Sequence, residues 1–260
     1  MADSPSHIGR RHIHFASTDS TNDRAAELAH DPAAAGTVVT ADVQSQGRGQ
    51  HGRTWQSVPG QNVLLSALLF PPYVLRQPAV LTAWAAIVVS ETVLQLTDCQ
   101  PTIKWPNDVL VGGKKISGIL IECGLKGSAA GVEVGRDPHF VVGIGLNVNQ
   151  SAEDFASQGL PDATSLAAIV GLSFEVPAVT RLLIDILDVE YGRLLGGNSA
   201  GLEFRWTQRI GLVARPVAVE LMDGTEVSGR LIGLGFEGLV LEQSDGAVRR
   251  FPAEAVRHVQ

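Results

Sequence analysis

The segment 78–96 is apolar almost throughout and long enough to form a buried helix. A helix with no polar stripe cannot lie on a surface; it must be surrounded. That requirement constrains everything else, because the rest of the chain has to supply a wall on each side of it. Two segments read as buried strands. Residues 62–70 form a near-continuous apolar run, as expected of a strand buried on both faces, and residues 140–148 read the same way. With 260 residues, 45% hydrophobic and 18% charged, the chain can build one large domain, or a medium domain plus a small one. No apolar run is expected to reach the length of a membrane span, so 78–96 is assigned to the core.

The remaining elements follow from punctuation. The first dozen residues are polar and carry no pattern. Residues 12–17 read as a short strand. Asp19-Ser20-Thr21-Asn22-Asp23 reads as a helix start, with Ser or Asp as the cap and Asp23 in the first turn. Ala25, Ala26, Leu28 and Ala29 continue that helix, and Asp31-Pro32 ends it. Residues 37–43 form a β-branched strand, and 47–60 a loop rich in Gly and Arg. Residues 102–122 read as a hairpin about Gly112-Gly113. Residues 166–170 suggest a short helix, 176–195 a longer one, and 196–201 a loop. A domain boundary is expected near Ile210. Beyond it, 217–221, 226–231, 239–242 and 248–251 are short strands separated by tight turns, the pattern of a small antiparallel barrel.

Net charge is −7, which argues against a nucleic-acid partner. No signal-peptide h-region is visible, and a membrane partner is not expected. Cys99 and Cys123 are too few for a disulfide framework and read as reduced thiols of a cytoplasmic protein. Lysine is more telling. It occurs only at 104, 114, 115 and 126, while arginine supplies the other 16 basic residues. Three of the four lysines fall within twelve residues, and lysine is a compact point charge for a phosphate or carboxylate.

Residues 47–52 match G-x-G-x-x-G by spacing, but Arg53-Thr54-Trp55-Gln56 does not begin a helix, so the dinucleotide-binding reading is rejected. Two readings of the loop stand at this point. It is an exposed loop with solvated arginines, or Arg48 and Arg53 clamp phosphate oxygens while Trp55 offers a face to a base. In the hairpin, Gly112-Gly113 as the turn sets Val111 opposite Lys114, Leu110 opposite Lys115, and Asp108 opposite Ser117. Lys104, Asp108, Leu110 and Lys115 then share one face. These are either solvated edge charges or a cationic site, with Gly118 admitting a closely approaching ligand. Asn147, at the end of a buried strand, either satisfies backbone groups or reads a base or ribose.

Taken in order, Asp19–Asn22, Gln44, 47–55, Lys104–Asp108, Lys115–Gly118 and 143–149 resemble the biotin–protein ligase family over about residues 15–150. The resemblance implies an α+β fold: a mixed sheet with flanking helices, similar to class II aminoacyl-tRNA synthetases, in residues 1–209. An SH3-like β-barrel would occupy 210–260. It implies two-step chemistry, in which biotin and Mg-ATP give biotinyl-5′-adenylate, and a lysine of a biotin carboxyl carrier protein then takes the biotinyl group.

By the same resemblance, Ser20, Thr21, Asn22 and Gln44, with Gly47, Gly49, Gln50, Gly118 and Gly145, would surround biotin. Arg48 and Lys115 would hold the carboxylate and α-phosphate. Arg53, Trp55, Asn107 and Asn147 would contact the adenylate. Asp108 would orient Lys104 or the incoming lysine, or help hold Mg²⁺, whose ligands stay unassigned. The family loop reads Gly-Arg-Gly-Arg, whereas position 50 here is Gln, uncharged, which bears on retention of the intermediate. The motif starts by residue 19, so a ligase without an operator-binding domain is expected, as a monomer or weak homodimer. A lipoate ligase on the same scaffold and a non-catalytic biotin sensor are the competing readings.

Overall fold

A computed structural model describes residues 7–124 and 138–260. Its main feature is a seven-stranded sheet, built from β1 (His12–Phe15), β2 (Val38–Ala41), β3 (Asn62–Leu69), β4 (Thr102–Lys104), β5 (Asp108–Val111), β6 (Lys114–Gly124) and β7 (His139–Asn147). The order is β1-β2-β3-β7-β6-β5-β4. Only β1 and β2 run parallel; the other neighbours are antiparallel, so the sheet is mixed as expected.

Alternation along β3 and β7 separates the two faces. Leu65, Ala67, Val142 and Ile144 pack toward α2 (Pro78–Thr97) in the large core, whereas Leu68 and Val141 join Val39 under α1 (Thr21–Glu27). α2 lies between β5–β7 on one side and α5 (Val176–Leu195) and α6 (Ser199–Ile210) on the other. By length and composition this helix is apolar enough to cross a membrane, which the sequence reading did not expect. Within the fold, 72% of its most apolar window is buried, which fits the expected core helix.

Five further strands form a second sheet: β8 (Pro216–Leu221), β9 (Glu226–Gly235), β10 (Gly238–Glu242), β11 (Val248–Pro252) and β12 (Val256–Val259). Their order is β11-β10-β9-β8-β12, all antiparallel. Trp206 of α6 joins the two sheets. Its ring centroid is 5.2 Å from that of Trp105, just after β4, and 5.8 Å from that of Phe236, just after β9. Arg209 adds a polar tie, donating to Glu91 of α2, Gln100 and the Pro101 carbonyl.

The structure corrects several sequence expectations. Residues 102–122 form three strands rather than one hairpin, because the chain turns at Trp105–Asn107 as well as at Gly112-Gly113. A register shift between Val109 and Leu110 sets Asp108 opposite Gly118, not Ser117. The pairings Leu110–Lys115 and Val111–Lys114 hold as expected. The expected loop 196–201 is shorter, since α6 begins at Ser199. α6, α3 (Ala152–Ser157) and β12 have no counterpart in the sequence reading; α4 (Leu166–Val170) matches it.

Candidate functional site

The α1 face of the sheet opens into a cleft of about 370 Å³, a volume suited to a small ligand. One end is polar. Ser20 is the N-cap of α1 but spends no side-chain bond on capping, and it lines the cleft. Thr21 donates to Gln44 Oε1 twice, from its N–H (2.7 Å) and from Oγ1 (2.9 Å). With Oε1 so engaged, the Gln44 amide nitrogen stays available as a donor. Ser66 Oγ lies 2.7 Å from Thr21 Oγ1 and 2.5 Å from Asn22 Oδ1, and fixes the α1 start against β3. Asn22 sits over Gly143, where an added Cβ would come within 2.4 Å of its Oδ1.

The cleft is also cationic. Arg48, Arg53, Lys104 and Lys115 all line it, with Asp108. Lys115 Nζ is 2.7 Å from Asp108 Oδ1 and 5.8 Å from the Trp55 ring centroid. The Lys115 backbone is clasped by the 160–165 segment, donating to the Asp162 carbonyl and accepting from Thr164 N–H. Lys104 pairs across β4–β5 with Asp108. The β5–β6 shift is what brings Asp108 beside Gly118. Leu110, expected on the same face, is not part of the cleft lining.

The 47–55 loop folds back on itself. Trp55 N–H donates to the Gly47 carbonyl and Gly49 N–H to the Arg53 carbonyl. Gly47 lies behind the lining rather than in it; a Cβ there would meet the Trp55 carbonyl at 2.6 Å. Gly49, Gln50, Arg53 and Trp55 do line the cleft. The Trp55 indole rests on the two bare strand positions, Gly118 and Gly145. Its Nε1 is buried without a hydrogen-bond partner.

Arg48 lines the cleft with its side chain held by carboxylates. Its guanidinium donates to both oxygens of Asp23 (2.8 and 2.7 Å) and to both of Glu122 (3.2 and 3.1 Å). Those bonds, Asp23 first and Glu122 second, raise its pKa well above the ordinary arginine value. Asn107 and Asn147 also line the cleft with their amides committed. Asn107 Nδ2 donates to the Ile119 carbonyl, and Asn147 donates to the Thr164 carbonyl while accepting from Asn62.

Sequence reasoning missed Glu122, Ser66, and the apolar residues Phe155, Leu160 and Ala163, which line the cleft. It also missed His258 of β12, through which the second sheet reaches the cleft. Burial, opposed by Glu220 and reinforced by Lys104, Arg53 and Arg257, leaves that imidazole with a lowered pKa. Among the described residues no group of three or more His, Cys, Asp or Glu side chains is arranged to hold a metal ion.

Polar and cationic side chains thus share one cleft beside a glycine-rich loop on a mixed sheet, an arrangement suited to a small anionic ligand. The sequence matches the biotin/lipoate A/B protein ligase family over residues 14–138. It is 31% identical over 248 residues to the bifunctional ligase/repressor BirA of Bacillus subtilis, covering 95% of this chain and 74% of that one. It is 31% identical over 241 residues to the biotin–[acetyl-CoA-carboxylase] ligase of Paracoccus denitrificans, covering 86% and 94%. The structure superposes with a TM-score of 0.78 on a biotin protein ligase from Aquifex aeolicus in complex with biotin and ATP, at 25% identity and covering 97% and 99% of the two chains. The chain belongs to the biotin–protein ligase family.

Proposed function

We infer that this chain is an ATP-dependent biotin–protein ligase, which forms biotinyl-5′-AMP and transfers the biotinyl group to a lysine of a biotin carboxyl carrier protein. The observation that carries this reading is the joint presence of polar and cationic groups in one cleft. Four cationic side chains gather beside a polar pocket in a chain of net charge −7. Ser20, Thr21, Asn22 and Gln44 offer the donors and acceptors that a ureido head group needs. The cationic stretch suits the next requirement, bringing a carboxylate up to a phosphate when both are negative.

In the first step a biotin carboxylate oxygen attacks the α-phosphorus of ATP, and the bond from that phosphorus to pyrophosphate breaks. Lys115, with its ammonium fixed by Asp108, offsets charge on the α-phosphate; Arg53 and Lys104 line the same cleft. In the second step the neutral amine of the carrier lysine attacks the acyl carbon. The carbon–oxygen bond to phosphate breaks, AMP departs with the electron pair, and the nitrogen loses a proton. Asp108 is suited to orient Lys104 or the incoming amine.

Gly118 and Gly145 leave room for the Trp55 indole, which with Gly49 and Gln50 forms a wall beside the intermediate. Gly47 shapes that wall from behind. Four bonds to carboxylates support a loop-holding role for the Arg48 side chain rather than a phosphate clamp. Asn107 and Asn147 support the adenosine end through their amide bonds to the backbone. The carboxylates near the cleft are already matched to cations, so they do not fit a resident Mg²⁺ site. Residues 1–209 serve as the catalytic domain and 210–260 as a second domain that lends His258.

Biotin-dependent ATP–pyrophosphate exchange, followed by labelling of an apo carrier domain, tests the reading. Exchange that requires lipoate and ignores biotin would overturn it. So would tight biotin binding without transfer, which is the behaviour of a sensor.

A further inference from the structure

Glu122 lies outside the cleft lining, yet its carboxylate touches both parts of the site. Oε2 accepts from Asn22 Nδ2 at 2.7 Å and from Arg48 Nη2 at 3.1 Å, and Oε1 accepts from Arg48 Nε at 3.2 Å. Asn22 belongs to the polar end. Arg48 opens the loop that carries Gln50, Arg53 and Trp55 over the cationic stretch. Glu122 sits on β6, four residues after Gly118, within the stretch from Ser117 to Gly124 that pairs with β7. A rigid strand therefore presents one anion to a helix start on one side and a loop on the other.

We propose that Glu122 is a positioning residue that couples the two halves of the site. Immobilising Asn22 with a bound head group fixes the Asn22–Glu122 bond. A fixed Glu122 in turn holds Arg48, and with it the loop that covers the nucleotide. Asp23 binds the other edge of Arg48 and strengthens the hold, but it does not itself touch Asn22 through the bonds described. The inference rests on the ligase reading above. Its content is a coupling free energy, and such coupling is reciprocal: each ligand tightens the other by the same factor.

The test is calorimetric titration of biotin with and without α,β-methylene-ATP, an analogue that cannot release pyrophosphate. Wild type is expected to bind each ligand roughly tenfold more tightly in the presence of the other, within the usual span of such effects. In Glu122→Gln that factor falls toward one, while biotin alone binds within about threefold of wild type, because the cleft lining is intact. Asp23→Asn keeps the coupling, since the Asn22–Glu122–Arg48 chain remains. Should Glu122→Gln fold poorly, Arg48→Met breaks the same chain from the loop side and is expected to lose the coupling too. Full coupling in either Glu122→Gln or Arg48→Met overturns the proposal, as does a factor of one in wild type that binds both ligands. Wild type that binds no biotin overturns the parent reading instead.

Discussion

The indole of Trp55 rests against the bare backbone of Gly145: a Cβ built at Gly145 would lie 2.3 Å from Cε2 of that ring. No real Cβ tolerates such a distance, so a side chain at 145 has to push the tryptophan and its loop off the sheet. Gly145→Ala is therefore expected to leave a folded protein, because β7 remains paired to β3 and β6. Its pyrophosphate exchange should drop by about 10²-fold, the usual cost of displacing a positioned group by about 1 Å. Exchange within a factor of two of wild type would show that the Trp55 position is immaterial.

Lys115→Ala removes the ammonium nearest Asp108 and leaves a carboxylate beside the bound anions. Adenylate formation should fall by about 10²–10³-fold, as when one donor to developing charge is lost. The circular dichroism spectrum should be unchanged, because the clasp around residue 115 uses its backbone. Retained single-turnover adenylation would remove Lys115 from the reaction.

Gln50→Arg adds a cation to the lining beside Arg53. A charged donor adds about 1.5–3 kcal/mol where it meets an anion, so release of biotinyl-5′-AMP should slow at least about tenfold. Chasing labelled intermediate from the enzyme measures this directly. An unchanged release rate would mean that the uncharged residue at 50 has no bearing on retention.

Tyr191 offers a pH test of the core. Burial pushes its phenol up to about 12, and its ring packs 5.4 Å from that of Trp84 on α2. The folded value lies above the unfolded one near 10. Stability from keeping the phenol neutral is thus complete below pH 10 and lost as pH rises toward 12. The full loss is about 2–3 kcal/mol at the upper end of that window. Urea unfolding at pH 9 and pH 11.5 should show a steeper decline for wild type than for Tyr191→Phe. Parallel declines would place the phenol's ionisation outside the folding equilibrium.

Local signals were legible in the sequence, and long-range ones were not. Gly112-Gly113 announced a turn because both residues take positive φ, 57° and 79°, which glycine adopts at no steric cost. The apolar runs announced β3, α2 and β7 because full burial leaves no polar face. The β5–β6 shift left no mark, since one extra residue in a strand looks like any other. The partners of Arg48 were hidden for another reason: Glu122 is 74 residues away, and only the folded sheet brings it near. α6 was obscured by Gly196, Gly197 and Gly201, yet its helix is fixed by packing of Trp206 and Leu202 in the core. Motif order therefore located the cleft, while the wiring behind it needed the tertiary structure.

The setting of α2 also constrains how this protein is made. The helix is synthesised before β5, β6 and β7 and before α5 and α6, which together enclose it. A ribosome-bound chain that has emerged only as far as α2 holds its most water-averse segment with few companions. Early collapse around α2 cannot reach the native arrangement until residue 206 arrives, more than a hundred positions later. Such late-satisfied surfaces favour self-association of partly folded chains. Overproduction at low temperature, with chaperones in supply, is the regime in which this enzyme should accumulate in folded form.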